Sequence, residues 1–168
     1  AENAIRLWAE DMARGIDCIG DFLDFVWQAV DFAIRERFAD PQKMGIGGLS
    51  RGGFIAAHAA ARDERFKFLL GFAPLTRLPL LKEFASMQEH PLIKSLDVAN
   101  FASSLARRYS RFYIGNRDTR VGTRALFDCA MALVDAAHHQ KIRTPQVECI
   151  ITPSIGKDGH GTSPEVFQ

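Results

Sequence analysis

The sequence predicts an α/β protein, a mostly parallel sheet flanked by helices. Two observations predict it. Four short runs, "KMGIGGL", "RFKFLLGFAP", "SRFYIGNRD" and "PQVECIITP", are apolar or rich in β-branched and aromatic residues, as strands are. Helical patterns alternate with them, and that alternation implies parallel strands joined by right-handed crossovers.

The opening stretch "AENAIRLWAEDMARG" is charged and amphipathic, unlike the long apolar core of a secretory signal. Gly20 and Asp21 open a helix through "DFLDFVWQAVDFAIRERF", with Asp21 as its N-cap. Phe22, Val26, Ala29, Ala33 and the pair Val30–Ile34 recur at helical spacing, and Asp40-Pro41 ends the run. "KMGIGGL" then reads as a strand, and Arg51 to Arg62 as a helix. The second strand, closed by Pro74, is followed by an irregular stretch from 75 to 109. Its apolar residues, among them Leu78, Leu81, Phe84, Met87, Leu92, Leu96 and Phe101, read as a short lid over the sheet's edge. After the third strand, "TRALFDCAMALVDAAHHQK" sets Leu126, Ala130, Leu133, Val134 and Ala137 on one side of a helix. The fourth strand runs into a glycine-containing loop, "SIGKDGHGTS".

At 168 residues and 47% hydrophobic composition, one domain with a proper core is expected. The net charge of +1 offers no attraction to nucleic acid or an anionic membrane, and neither partner is expected. No apolar run approaches the roughly 20 residues that cross a bilayer. Cys18, Cys129 and Cys149 are odd in number and contain no CxxC, so they read as buried thiols in a reducing, cytoplasmic compartment. Neither a metal nor an organic cofactor is expected.

Ser50 stands at the corner between the first strand and its helix, in "GGLSRGG". A tight turn of that kind is a structural corner, a phosphate cradle or a presented nucleophile. The phosphate reading fits badly. The Lys-Ser/Thr ending of a P-loop is missing, and in Gly-x-Gly-x-x-Gly register Gly45 and Gly47 fit while Ser50 takes the third glycine's place. As a nucleophile, Ser50 needs a base, and the base needs an orienting acid. Asp118 follows the third strand and His160 the fourth, at the sheet end where parallel strand tips converge. Each has a plainer reading as well, Asp118 as a turn residue and His160 as a loop histidine. Asp97 and Asp158 are the alternative acids, the first in the irregular stretch and the second two residues before the histidine. Arg117 and Arg120 flank Asp118 and are expected to depress its pKa. His138 and His139 close a helix, where partial positive charge suits the dipole. His58 reads as a packing residue, His90 as a loop residue and Arg51 as a solvated arginine at a helix start.

"GIGGLSRGGFIAAHAA", "FYIGNRDTRVGT" and "GKDGHGT" resemble the nucleophile elbow, acid loop and histidine loop of the α/β-hydrolase superfamily. Among its branches, the dienelactone-hydrolase and prolyl-oligopeptidase-like esterases and peptidases are the most similar by motif. "ARGIDCIGDFLDFVWQAVDFAIRE" is similar to the helix before the elbow in those branches. The resemblance implies Ser50 as nucleophile, His160 as general base and then acid, and Asp118 as the residue fixing the imidazole tautomer. It also implies the backbone N–H of Arg51 as an oxyanion donor. The early strands of that fold, with the loop supplying a second donor, have no counterpart before Ser50, so the expected architecture is a truncated α/β-hydrolase fold. It is read as the C-terminal part of a longer protein rather than as a chain lacking part of the family's active site. An elbow strand without its inner neighbours leaves an open sheet edge, where association with another copy is expected. The expected activity is hydrolysis of a carboxylic ester or acyl compound through an acyl-serine. A peptidase acting on short peptides, or a catalytically silent binding module, is the alternative.

Overall fold

In the structure, a computed structural model describing residues 2–162 and 164, the four predicted runs form β1 (Met44–Leu49), β2 (Phe66–Phe72), β3 (Tyr109–Gly115) and β4 (Val147–Thr152). They pair in parallel in the order β1-β2-β3-β4. Each crossover steps one place in the same direction. Because such crossovers are right-handed, the connecting helices gather on one side of the sheet. Register places Leu49 beside Phe72, Phe72 beside Tyr113, and Gly115 beside Thr152. The strands therefore end nearly level, and the loops after them share one rim.

The helix following β1, α3 (Arg51–Arg62), packs on β1 and β2. It is preceded by α1 (Glu2–Ala13) and α2 (Cys18–Arg35), and α6 (Thr123–His139) joins β3 to β4. Leu69, Phe112 and Ile114 point from the sheet into the buried core, as do Phe54, Leu126 and Leu133 from the helices. On the alternate strand positions Phe68 and Tyr109 stack at 5.3 Å and Phe72 and Tyr113 at 5.6 Å. That face is open, since Phe68 and Tyr109 are both about half exposed. Among the described residues β1 pairs only with β2, so its outer edge is unpaired.

Two details of α2 differ from the sequence reading. The N-cap is Asp17, whose carboxylate accepts the Gly20 N–H at 2.9 Å, and Asp21 lies inside the first turn. The buried face carries Ile19 and Leu23, while Phe22, Phe25, Ala29 and Phe32 are exposed. Aromatic residues lie on both sides of this helix, so periodicity alone does not fix which stripe is buried. It ends at Arg35, before Asp40-Pro41, because Arg37 turns left-handed at φ 61° and Phe38 and Ala39 donate back to Ala33 O.

Between β2 and β3 the chain makes short 3₁₀ segments and two short helices, α4 (Pro91–Ser95) and α5 (Ala102–Leu105). Leu78, Leu81, Phe84, Ile93 and Leu96 are buried with the rest of the core. Of the three free cysteines, Cys129 lies on the buried face of α6, where burial pushes its thiol up to about 12, and Cys18 and Cys149 are half-buried.

His58 ties this segment to α3. It is fully buried, sits edge-on between Phe54 and Phe101 at 4.4 and 4.9 Å, and donates from Nε2 to Leu96 O at 3.1 Å. Burial, reinforced by the Arg62 guanidinium, pulls its pKa from 6.5 down to about 4, although the Leu96 carbonyl and Asp17 act the other way. Since the folded pKa lies below the unfolded one, the stabilisation is complete above about 6.5 and is lost as pH falls toward 4. The full effect is about 3 kcal/mol. Urea unfolding at pH 7 and pH 4.5 should therefore cost the native chain about 2 kcal/mol more than His58→Leu, which cannot titrate. Equal losses in the two proteins would show that His58 does not link folding to protons.

Candidate active site

The site begins with the corner between β1 and α3. A Cβ on Gly48 would lie 2.3 Å from the carbonyl carbon of Gly52, so the strand can run this close to the helix start only as glycine. Gly52 itself is not needed for the crossing, because a Cβ there would meet nothing within 4 Å. Ser50 occupies the turn at φ 53° and ψ −114°, backbone that an L side chain adopts at a cost of about 1–3 kcal/mol. Three hydrogen bonds hold it there. Its N–H donates to Phe72 O at 2.8 Å, and its carbonyl accepts from Phe54 N at 3.2 Å and Leu75 N at 3.1 Å. Both the adjacent strand and the segment leaving it thus grip the serine backbone.

The second element is the loop after β3. Asp118 is buried, and its Oδ1 accepts the N–H groups of Arg120 at 2.9 Å and Val121 at 3.0 Å. The Asp118 N–H donates to Thr123 Oγ1 at 3.0 Å, and that hydroxyl donates on to Gly115 O at 2.6 Å. The loop is thereby tied to both its strand and its helix.

The third element is His160, after β4. Its Nδ1 lies 2.7 Å from Asp118 Oδ2 and its Nε2 lies 2.9 Å from Ser50 Oγ. The structure thus brings together all three sequence-predicted side chains, the serine and histidine being 110 positions apart. Burial raises the Asp118 pKa. The hydrogen bond from His160, the Val121 N–H, the nearby imidazole charge and the Arg120 N–H outweigh it and hold the carboxyl below its ordinary value. The expected effect of the Arg117 and Arg120 side chains is replaced by that of backbone donors. An ionised Asp118 accepts from Nδ1–H and leaves the Nε2 lone pair free to accept the Ser50 hydroxyl proton.

Asp97 and Asp158 are engaged elsewhere. Asp97 accepts the Ala99 N–H at 3.0 Å and pairs with Arg77 at 3.0 Å. Asp158 takes φ 60° and offers its carbonyl to Thr119. The Arg51 N–H stands at the first position of α3, among the donors a helix leaves unpaired. Its side chain is not simply solvated, since the guanidinium lies over the Trp8 ring at 5.4 Å. The sequence reading missed Asn116, Thr123 and Ser154, which brace the acid and histidine loops. Small polar residues in turns carry no pattern that marks them.

A parallel sheet whose first strand ends in a strained serine turn, and whose third and fourth strands are followed by the loops carrying the aspartate and the histidine, defines the α/β-hydrolase class. Within it, the chain belongs to the prolyl oligopeptidase family, whose sequence profile matches residues 11–104, a span holding Ser50 and ending before Asp118. No curated protein matches the chain. Among solved structures it is similar to a putative dipeptidyl aminopeptidase IV from Bacteroides ovatus, at 19% identity and a TM-score of 0.63, over 75% of this chain and 18% of that one. A puromycin-hydrolyzing peptidase from Mycobacterium tuberculosis matches at 18% identity and 0.63, over 79% and 21%. An acylaminoacyl peptidase from Pyrococcus horikoshii matches at 18% and 0.64, over 87% and 24%. The chain thus spans about a fifth to a quarter of the length of these peptidases.

The glycine contacts give a direct test of the elbow. Gly48→Ala forces backbone apart and should cost about 3 kcal/mol, lowering the thermal midpoint by about 10 °C. Gly52→Ala, with open space at its Cβ, should leave the midpoint unchanged or raise it slightly. Equal effects of the two substitutions would contradict the close crossing.

Proposed function

We propose that the chain carries the reacting groups of a peptidase-type serine hydrolase, with Ser50 as nucleophile, His160 as base and acid, and Asp118 as orienting carboxylate. The observation that carries the reading is the unbroken hydrogen-bond chain from Ser50 Oγ through His160 to the buried Asp118, at 2.9 and 2.7 Å.

As Ser50 Oγ bonds to the substrate carbonyl carbon, His160 Nε2 takes the hydroxyl proton. Asp118 keeps the other imidazole proton on Nδ1 and stabilises the imidazolium. The carbonyl oxygen becomes an oxyanion facing the Arg51 N–H. Collapse breaks the bond to the leaving amine or alcohol, which departs with the proton from His160, and Ser50 remains acylated. Water then adds to the acyl carbon and gives its proton to Nε2. When the second tetrahedral species collapses, that proton returns to Ser50 Oγ and the carboxylic acid leaves.

Family membership favours a peptide or acyl-amino substrate over the simple ester expected from the sequence. The two differ in the leaving group. An amine leaves only when protonated, so amide cleavage depends more heavily on His160 acting as acid.

A fluorophosphonate probe tests the reading. The native protein should be labelled, and Ser50→Ala should not. Asp118→Asn, which leaves the imidazole in the wrong tautomer, should lower turnover by about 10³-fold or more. An intact, folded protein that the probe never labels would overturn the proposal in favour of a silent binding module. A higher kcat/KM for a short peptide anilide than for an aliphatic ester supports the peptidase assignment, and the reverse order supports the ester.

A further inference from the structure

A second set of hydrogen bonds, none of which touches Ser50, joins the loop carrying Asp118 to the loop carrying His160. Ser154 is at its centre. Its Oγ accepts the Arg117 N–H at 2.6 Å and donates to Asn116 Oδ1 at 3.0 Å, and its own N–H donates to the same Oδ1 at 3.1 Å. The Asn116 N–H continues the ladder to Thr152 O at 2.7 Å. On the far side of Asp118, Thr119 donates from N–H and Oγ–H to Asp158 O at 2.9 and 3.1 Å.

These bonds bracket the acid. Arg117 and Thr119 are its two neighbours in the chain, and each is fastened to the histidine loop. Between the fastenings the backbones touch. Gly159, at φ 68°, lies so near Arg117 O that a Cβ would fall 2.2 Å from it. A Cβ on Gly115 would fall 2.8 Å from Ser154 Oγ.

Position in the sheet explains why a clasp is needed. Among the described residues β4 is the last strand of the order, so the histidine loop has a strand neighbour on the β3 side only. Loops held on one side open at low free-energy cost. A shift of 1 Å would break the hydrogen bond between Nε2 and Ser50, and misplacement on that scale is costly to reaction rates. We infer that Ser154 is a positioning residue. It clasps the histidine loop to the acid loop and so fixes the His160 imidazole against both Asp118 and Ser50. The inference rests on the reading of Ser50, His160 and Asp118 given above.

Fluorophosphonate inactivation separates the two ideas because it needs no knowledge of the natural substrate. Ser154→Ala should lower the inactivation rate constant by about tenfold while leaving the probe's apparent affinity within about twofold. The thermal midpoint should fall by no more than about 3 °C. In proton NMR the downfield Nδ1–H signal of His160 should broaden or vanish as the loop loosens. Ser154→Thr, which keeps the hydroxyl, should restore most of the rate and the signal. Should Ser154→Ala fail to fold, Asn116→Ala removes the shared acceptor from the other side and should give the same split. An unchanged rate constant and NMR signal in the folded variant would overturn the clasp while leaving the Ser50 assignment standing. A general loss of stability with the His160 signal intact would also overturn it. Failure of the native protein to react with the probe would sink the Ser50 assignment, and the clasp with it.

Discussion

The strained backbone of Ser50 is the constraint on which the site depends. At φ 53° and ψ −114° the serine does not hold its conformation by preference, so its surroundings must hold it. They do so through groups that belong to three different parts of the fold: Phe72 at the end of β2, Leu75 just beyond it, and Phe54 in α3. The missing side chain at Gly48 supplies the space. Ala73 is also left-handed, at φ 41°, and its N–H donates to Tyr113 O. The strain is thus shared across two adjacent strand ends. Its effect is to raise one hydroxyl above the rim while the helix start stays close behind it.

The order of the strands does the rest. Because β1, β2, β3 and β4 pair in sequence order and in nearly level register, the three functional loops open in the same direction. No long side chain is required to bridge them. Ser50 follows β1 immediately, Asp118 follows β3 by three residues and His160 follows β4 by eight. The longer the loop, the more it needs bracing. The serine is held by backbone alone, the acid adds Thr123, and the histidine depends on Asn116, Ser154 and Thr119.

Much of this was legible in the sequence. The strands read as short apolar runs bounded by turn residues, α6 carries one clear apolar stripe, and α3 runs from the glycine-rich corner to Arg62, so their bounds follow closely. That Ser50, Asp118 and His160 share a rim follows from their places after strand ends. What was not legible has physical reasons. In α2 the aromatic residues fall on both sides, so the exposed Phe22 could not be told from the buried Leu23 by spacing. Two aspartates flank its start, and only geometry distinguishes Asp17 as the cap. The influence of Arg117 and Arg120 was misassigned because adjacency in sequence says nothing of where a side chain points. Ser154 was invisible for a related reason, since a serine in a polar loop looks the same whether it braces a histidine or faces water. The preference for an amide over an ester in the proposed function was equally hidden, because both reactions would use the same groups.

The electrostatics of the acid follow from the same economy. A buried carboxylate costs free energy unless every lone pair has a donor. Asp118 obtains its donors from two backbone N–H groups and one imidazole, all fixed by the fold. Mobile arginines could supply charge, but they would compete with the histidine for the carboxylate and loosen its orientation. Backbone donors on Oδ1 leave Oδ2 facing His160 alone. A carboxylate held in this way has a single open direction, and that direction sets which imidazole nitrogen carries the proton. The tautomer that lets His160 accept from Ser50 is therefore written into the turn after β3, in the same sense that the serine's exposure is written into the turn after β1.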